Sequence, residues 1–238
     1  MLDRQHHHRI NAFLKSLDAD LFGRANCYFG GGTAIILSLG EYRQAADVNF
    51  LCSSPEGYRF LRDTLLEKIM DVPVELEHEF RPDRNGIRSF VRIDGGTVKF
   101  EIVKEARIEL VGNADPVSGV PILSRVDMYA QKLLANADRG FDPFSLSRDV
   151  IDLAMMIAHW GPIPEEAWLK ARGAYGFSID TSYSRAIDLV SNPRYLARCL
   201  KELHMLPHHG DVIVELLRSC VQTVSSDDFL PGPPPPSF

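Results

Sequence analysis

A glycine-rich turn early in the chain has the composition of a phosphate-binding element. The β-prone run Cys27-Tyr28-Phe29 ends in Gly30-Gly31-Gly32, and Thr33 follows where a helix is predicted to start. Glycines at such a turn leave backbone N–H groups bare, and a helix N-terminus favours negative charge. The turn therefore predicts a phosphate site, although three glycines alone also fit a plain tight turn between a strand and a helix.

A polar strand follows this turn with a spacing that suits metal chemistry. Asp47 and Asn49 are two residues apart in a β-prone run, so their side chains should share one face of the strand. Paired carboxylates at this spacing suit Mg²⁺, which takes oxygen ligands and keeps open positions for phosphate. Glu101 lies in the later run Lys99-Phe100-Glu101-Ile102-Val103 and is placed to add a carboxylate from a neighbouring strand. Such a further carboxylate would complete a two-metal site.

The elements that must hold these residues alternate between helix and strand. Helices are predicted over residues 7–22, 34–39 (capped by Thr33) and 54–70. Strands are predicted at 27–29, 48–52, 74–80, 87–93 and 98–103, with a hairpin turn at Asp94-Gly95-Gly96 between the last two. This order predicts an α+β fold, in which helices pack on a sheet layer.

The second half of the chain is predicted to be helical, because the strands should stop after Pro121. Ser124 and Asp127 form a capping box for a helix through residue 134, and Ser147 should cap a helix to about residue 159. We therefore predict an α+β domain over 1–120, a helical part over 121–226 that completes a cleft with it, and a flexible Pro-rich tail over 227–238.

Composition and charge exclude several classes of protein. With 45% hydrophobic residues the chain of 238 residues is not disordered, and its net charge of -6 argues against a general DNA-coating protein. The four cysteines form no C-x-x-C pair, which favours buried thiols of a reducing compartment. The polar start and the lack of an apolar run of about 20 residues predict a cytoplasmic protein that does not enter a membrane.

These motifs occur in the order of a known family. Gly-Gly-Thr, an Asp-x-Asp-like strand and a later acidic strand residue resemble the polymerase-β-like nucleotidyltransferase fold. Two downstream segments, Lys132-Leu133-Leu134-Ala135 and Arg148-Asp149-Val150-Ile151-Asp152-Leu153, resemble the Lys-Leu-x-Ala and Arg-Asp-x-x-Asp-Leu helices of the AbiEii abortive-infection toxin family. The resemblance covers residues 29–153 and implies a mixed-sheet nucleotidyltransferase fold with a C-terminal helical part.

The resemblance also implies an activity and the residues that perform it. The family's reaction transfers a nucleotide from an NTP, such as ATP or GTP, to an acceptor hydroxyl, with Mg²⁺ or Mn²⁺ and release of pyrophosphate. The family acts in toxin–antitoxin or phage-defence systems, which implies a cognate antitoxin, and RNA ends, notably of tRNA, are among its targets. Carried over by position, the phosphates would be bound by Gly31, Gly32, Thr33 and Lys132, the metal by Asp47, Asn49 and Glu101, and the acceptor hydroxyl would be oriented or deprotonated by Asp149. Without the resemblance, Lys132 also fits a surface lysine on an amphipathic helix.

One position departs from the family pattern. The second metal-binding Asp of the family is Asn49 here, whose amide brings no charge, whereas Glu101 in place of Asp is a milder change. Loss of even an outer partner of a metal ligand costs about 10–100-fold in affinity or activity. We therefore predict an impaired enzyme, with three explanations open: a natural pseudoenzyme that binds nucleotide or RNA without catalysis, an engineered inactive variant, or slow catalysis with Asp47 and Glu101.

A cluster of arginines suggests where an RNA acceptor would bind. Arg88, Phe90 and Arg92 should share one face of the strand 87–93, with Arg81 and Arg84 close in sequence. Basic residues that flank an aromatic ring on a sheet face suit a nucleic-acid surface. A solvated face that balances nearby acids is an equally good interpretation.

Overall fold

A computed structural model describes residues 4–45, 47–68, 75–76, 81–83, 85–93 and 95–221. In the first half, the helices are α1 (Gln5–Lys15), α2 (Ala19–Arg24), α3 (Gly31–Ser38) and α4 (Pro55–Lys68). The strands are β1 (Cys27–Gly30), β2 (Asp47–Cys52), β3 (Glu75–Leu76), β4 (Arg81–Pro82), β5 (Gly86–Ile93), β6 (Gly96–Lys104), β7 (Gly112–Ala114) and β8 (Pro121–Leu123). The second half contains α5 (Arg125–Arg139), α6 (Arg148–Trp160), α7 (Glu165–Tyr175), α8 (Ser178–Val190), α9 (Pro193–Glu202) and α10 (Gly210–Arg218).

The strands form one mixed sheet, as the sequence predicts. Their order is β3-β5-β6-β2-β1-β8-β7, and β4 pairs with β5. The pairs β2–β6 and β1–β8 are parallel, and the other pairs are antiparallel. The parallel pairing sets Asp47 opposite Lys99 and Asn49 opposite Glu101. This register brings the polar residues of two strands together on one face.

The opposite face of the sheet carries an aromatic core. Val48 and Phe50 alternate with Asp47 and Asn49 along β2 and are fully buried. The Phe50 ring lies 4.2 Å from Phe22 and 5.9 Å from Phe100, measured between ring centroids. Burial of each such ring contributes about 1.5–3 kcal/mol, so the core fixes which face of β2 points outward.

The predicted helix over 7–22 is wrong, because the structure has two helices there. The first ends at Lys15, and α2 begins after Asp18, whose carboxylate accepts a hydrogen bond of 3.0 Å from the Leu21 N–H. An N-cap residue of this kind starts a helix and interrupts the preceding one. The apolar spacing continued through the break, which is why the pattern indicated a single helix.

Of two predicted caps, Thr33 is wrong, and Ser147 lies at the predicted N-cap position of α6 but makes no side-chain capping bond. The N-cap of α3 is Gly30, and the Thr33 hydroxyl instead donates a hydrogen bond to the Asp47 carbonyl oxygen. Ser147 precedes α6 but makes no capping bond, and its hydroxyl lies 2.9 Å from that of Tyr195. In both cases a tertiary partner takes the hydroxyl that local sequence assigned to a helix end.

Other local predictions are confirmed. Ser124 caps α5 by accepting a 3.1 Å bond from the Asp127 N–H, although the helix continues to Arg139. Strands β5 and β6 form the predicted hairpin, with Ile93 paired to Gly96. All four cysteines are buried free thiols. The short strands β7 and β8 were not predicted.

Some predictions fall partly or wholly outside the described residues. Of the predicted strand over 74–80, residues 75–76 are described, and the predicted helix over 54–70 is described to residue 68. Arg84, Asp94, the tail over 227–238 and the last residues of the predicted helical part lie outside the described range. In the part of the chain that is described, no helix is long and apolar enough to cross a bilayer.

Candidate active site

A cleft of about 270 Å³ opens between the sheet and helix α5. Gly31, Gly32 and Thr33 form one wall, and Asp47, Asn49 and Glu101 form the floor. Lys132 of α5 lines the opposite side, and Asp149 lies directly behind it, bonded to its ammonium group. The fold therefore gathers all eight residues that the sequence proposed for the site.

The floor is built by cross-strand register. One row crosses the sheet as Arg88, Glu101, Asn49 and Gly30, from β5 through β6 and β2 to β1. Gly30 ends this row without a side chain, and a Cβ there would lie 2.4 Å from Leu51 Cδ1. A side chain at Gly30 would thus have to displace the ends of Leu51 and Leu123, and the other positions of the row carry polar groups.

The two carboxylates of the floor already have basic partners. Lys99 Nζ lies 3.1 Å from Glu101 Oε1 and 3.9 Å from Asp47 Oδ2. Arg88 Nε donates to the same Glu101 oxygen at 3.0 Å, and Arg88 Nη1 lies 2.6 Å from Asp83 Oδ2. The Glu101 side chain is 15% exposed and that of Asp47 is 35% exposed. Asp47 is therefore the more accessible carboxylate and the less tightly paired one.

The glycine turn is fixed directly to strand β2. Gly31 has a left-handed backbone with φ of +68°, and the position of a Cβ there would lie 3.4 Å from the Asn49 side chain. The Thr33 hydroxyl bonds the Asp47 carbonyl, as described above. The Thr33 bond joins the turn to strand β2, and Gly31 leaves room for the Asn49 side chain, so the glycine wall and the acidic floor hold a fixed relative position.

Gly32 packs against a buried arginine that the sequence did not single out. A Cβ at Gly32 would lie 2.6 Å from Arg43 Nη2. Displacement of the Arg43 side chain would break hydrogen bonds, because its Nε and Nη2 each donate to Asp152 at 2.7 Å. Gly32 therefore allows the turn and the guanidinium group to occupy neighbouring space.

We expect Gly32→Ala to lower the free energy of unfolding by about 1–3 kcal/mol, the usual cost of overpacking. Gly173→Ala is the matched control, because a Cβ there meets no heavy atom within 4 Å in helix α7. The control should gain about 0.5–1 kcal/mol from helix propensity. Urea unfolding followed by circular dichroism measures both, and equal stability of the two variants would contradict this view of the turn.

Behind the cleft lies a buried ion cluster of Tyr42, Arg43, Lys132, Asp149 and Asp152. Asp152 accepts from the Tyr42 hydroxyl at 2.6 Å and from Arg43, and Lys132 Nζ lies 2.5 Å from its Oδ2. The Lys132 ammonium also donates to Asp149 at 2.8 Å. Burial would raise the pKa of Asp152, but the charges of Arg43 and Lys132 outweigh burial and lower it. Both carboxylates are therefore ionised and hold Lys132 between them.

Asp149 is nearly inaccessible, with 2% of its surface exposed. Besides Lys132, its carboxylate receives Arg139 Nε at 2.7 Å and Nη2 at 3.0 Å. Burial alone would raise its pKa, yet Lys132 and Arg139 lower the pKa well below the ordinary value. A carboxylate with so low a pKa is a poor proton acceptor near neutral pH, which weighs against the predicted role as a base.

Four residues of this region were not predicted from the sequence: Tyr42, Arg43, Lys99 and Asp152. For two of them, the spacing in the sequence could have indicated the position. Asp152 follows Asp149 at helical spacing and shares its face of α6, and Lys99 precedes Glu101 by two residues and shares its face of β6. Tyr42 and Arg43 lie in a loop, and no local pattern links them to a helix that begins about a hundred residues later.

The arginines of strand β5 share one exposed face, as predicted. Arg88 and Arg92 are exposed, and Phe90 between them is 39% exposed. Arg88 pairs with Glu101 and Asp83, so part of its charge is balanced by acids. Arg84 and the side chain of Arg81 are outside the described part of the structure.

The floor offers oxygen donors, the ligand type that Mg²⁺ prefers. Mg²⁺ is commonly held by one or two carboxylates together with substrate phosphates, and Asp47 with the Asn49 side-chain amide fits such a set. Glu101, by contrast, is engaged by Lys99 and Arg88. Among the described residues, no group of three His, Cys, Asp or Glu side chains could hold a metal ion. Asp47 and Asn49 thus offer oxygen donors that fit one divalent ion, whereas Glu101 already pairs with two cations.

The mixed sheet, with its glycine turn and acidic strands facing a cleft closed by helices, is a fold that other proteins share. Two Helicobacter pylori structures share this fold. One, assigned as a nucleotidyltransferase, matches with a TM-score of 0.54 and 18% identity over 92% of this chain and 96% of its own. The other, JHP933, matches with a TM-score of 0.54 and 17% identity over 93% and 94%.

The family follows from the sequence match. The model of the AbiEii nucleotidyl transferase toxin of type IV toxin–antitoxin systems matches residues 12–212, and the chain belongs to this family. No match was found among curated protein sequences. Membership of this family classes the protein as a nucleotidyltransferase.

Proposed function

We propose that the protein transfers a nucleotide from an NTP to a hydroxyl group of an RNA, tRNA included, as the toxin of a toxin–antitoxin pair. The observation that carries this proposal is the single cleft that holds the glycine turn, Asp47 and Lys132. Membership of a toxin family supports a cognate antitoxin as its protein partner. The departure at Asn49 supports a rate below that of a site with two aspartates.

The phosphates of the NTP would lie between the glycine turn and the basic side of the cleft. Backbone N–H groups at Gly31 and Gly32 start helix α3, where an anion is favoured. Arg139 and Arg148 line the cleft with Lys132, and the Arg139 side chain is 43% exposed. These cations would stabilise the charge that develops on the leaving pyrophosphate.

Asp149 acts in this proposal as a positioning residue. Its ionised carboxylate holds Lys132 and Arg139, and both of these line the cleft. Without it, two long basic side chains would lose their common anchor. This role differs from both roles predicted from the sequence, because Asp149 is buried away from an acceptor hydroxyl and its lowered pKa opposes proton uptake.

Asp47 and Asn49 would hold one Mg²⁺ or Mn²⁺ ion, which when bound polarises the phosphates of the substrate. The acceptor oxygen forms a bond to the α-phosphorus while the bond from that phosphorus to the β-phosphate oxygen breaks. Pyrophosphate leaves, and the hydroxyl proton passes to solvent. The protein holds the substrate in place: the glycine turn would orient the phosphates, and the floor would hold the α-phosphate that reacts.

The exposed face of β5 supports RNA as the acceptor class. Arg88 reaches the floor through Glu101, so this face continues directly from the cleft. Phe90 offers a ring for base stacking between two arginines. An RNA end bound on this face would lie beside the proposed phosphate site.

The test is transfer of α-labelled nucleotide to RNA with and without Mg²⁺ or Mn²⁺. We expect slow, metal-dependent transfer, and at least about a tenfold loss in Asp47→Asn, because Asp47 is the accessible carboxylate of the floor. Asp188→Asn on the exposed side of α8 is the matched control and should retain the wild-type rate. Equal rates in Asp47→Asn and wild type would contradict the proposed site.

A second candidate function is a pseudoenzyme that binds nucleotide or RNA without catalysis. It is favoured by the absent charge at Asn49 and by the pairing of Glu101 with Lys99 and Arg88. Calorimetry with NTP and Mg²⁺ separates the two candidates. Binding without transfer supports the pseudoenzyme, and lack of both binding and transfer excludes both functions.

A further inference from the structure

Lys99 lies on strand β6 between the two carboxylates of the floor. The parallel register sets it directly opposite Asp47, and its side chain shares the face of Glu101 two residues along β6. Its ammonium lies 3.1 Å from one carboxylate and 3.9 Å from the other. The backbone pairing of β2 and β6 thus places a permanent positive charge between the two acids of the floor.

The charges of the floor balance without a second metal ion. Asp47 and Glu101 bring two negative charges, and Asn49 brings none. Lys99 brings one positive charge, and Arg88 shares a second between Glu101 and Asp83. A pair of divalent ions needs a strongly anionic set of ligands, and this floor is close to neutral.

An ammonium group and a divalent ion also repel each other, and the repulsion is strongest at Glu101, the carboxylate nearer to Lys99. A Mg²⁺ ligand oxygen lies about 2.0–2.1 Å from the ion. An ion bound to Glu101 would therefore sit within a few ångströms of Lys99 Nζ, where two positive charges repel strongly. Glu101 can pair with Lys99 or bind a metal ion, and in the structure it pairs with Lys99 and Arg88.

We propose that the Lys99 ammonium takes the place of the second divalent ion, so that the site binds one ion, at Asp47 and Asn49. Glu101 is then the counter-ion of Lys99 and Arg88, and it is not a metal ligand. Lys99 and Asn49 act as a pair: the first supplies a fixed positive charge, and the second removes the negative charge that another ion would need. The inference rests on the proposed function, because the second ion belongs to that chemistry, but its test measures metal binding alone.

The experiment is Mn²⁺ binding to the full chain, measured by electron paramagnetic resonance of free Mn²⁺ and by calorimetry, without NTP. We expect the wild type to bind one ion. Lys99→Met should bind Mn²⁺ at least about tenfold more tightly, because the competing charge is gone. Lys99→Met combined with Asn49→Asp should bind two ions.

Lys104→Met is the matched control, since it removes the same charge from the same strand. Strand alternation places Lys104 on the opposite face from Lys99, so its variant should bind Mn²⁺ as the wild type does. The Lys99 side chain is 38% exposed, which favours folding of the variants, and Lys99→Gln provides a second, polar replacement. Thermal unfolding confirms that each variant is folded.

Two results would overturn the inference. One is a wild type that binds two ions, and the other is unchanged affinity and stoichiometry in both Lys99 variants. Failure of the proposed function is distinct from these results. If no variant transfers nucleotide while the ion counts follow the expectation, the transfer proposal fails and the role of Lys99 stands.

Discussion

Asn49→Asp is expected to raise the rate of nucleotide transfer by at least about tenfold, because it adds a carboxylate to the floor beside Asp47. The register sets residue 49 opposite Glu101 and against the turn at Gly31, so the new charge faces the cleft. Single-turnover transfer of labelled nucleotide to RNA measures the effect. A titration of Mg²⁺ separates a gain in ion affinity from a gain in the maximal rate.

Asn113→Asp provides the control for a change in net charge. Asn113 is exposed on β7, at the far end of the sheet from β6, and its variant should transfer at the wild-type rate. If Asn49→Asp and the wild type transfer equally well, the departure at position 49 does not limit the enzyme. Equal gains in both variants would point to overall charge instead of the floor.

Lys132→Met is expected to lower the free energy of unfolding by roughly 3 kcal/mol, because removal of one member of a buried ion pair leaves charge uncompensated. Lys132 is 4% exposed and contacts both Asp149 and Asp152. We expect the low end of the cost usual for breaking a buried ion pair, since Arg139 still pairs with Asp149 and Arg43 with Asp152. Chemical denaturation at neutral pH measures the loss.

Two further variants and a pH series test whether the loss of stability in Lys132→Met comes from the buried ion cluster. Lys201→Met on the exposed side of α9 should cost little, and Asp152→Asn added to Lys132→Met should recover part of the loss.

The pKa of each aspartate is lowered in the folded state, so the stability that these groups contribute is present above pH 3.8 and is lost as the pH falls through the lowered pKa. The difference between Lys132→Met and wild type should therefore shrink in acid. If Lys132→Met lowers the free energy of unfolding no more than Lys201→Met does, the predicted contribution of the buried cluster to stability is wrong.

The sequence was sufficient for the main strands of the sheet and for Asp47, Asn49 and Glu101, but it predicted neither the short strands β7 and β8 nor the place of Lys99. Strand alternation placed Asp47 and Asn49 on one face, and the same rule applied to Glu101 once the two strands were neighbours. The capping box at Ser124 and the hairpin after Ile93 were local signals, so they needed no knowledge of the fold. The family resemblance supplied Lys132 and Asp149, which no local pattern ties to the sheet.

The remaining features depend on contacts between distant parts of the chain. The partners of Lys132 decide whether it points to solvent or into a cluster, and Asp152 is one of them. Thr33 and Ser147 resembled caps because each precedes a helix predicted from the sequence, but Asp47 and Tyr195 bind their hydroxyls. The break at Asp18 could have been found, since Asp is a strong N-cap residue and the apolar spacing alone hid it.

The buried ion cluster also has a consequence for how the chain folds. Asp152 accepts from Tyr42 and Arg43, which precede it by 110 and 109 residues, so its charges come from both halves of the chain. A folded first half alone would bury Arg43 without its acid, and a folded second half alone would bury Asp152 and Asp149 with too few cations. Each such state carries the cost of an uncompensated buried charge, several kcal/mol. We therefore expect the two halves to unfold in one cooperative transition, and fragments cut between them to be unstable until they reassociate.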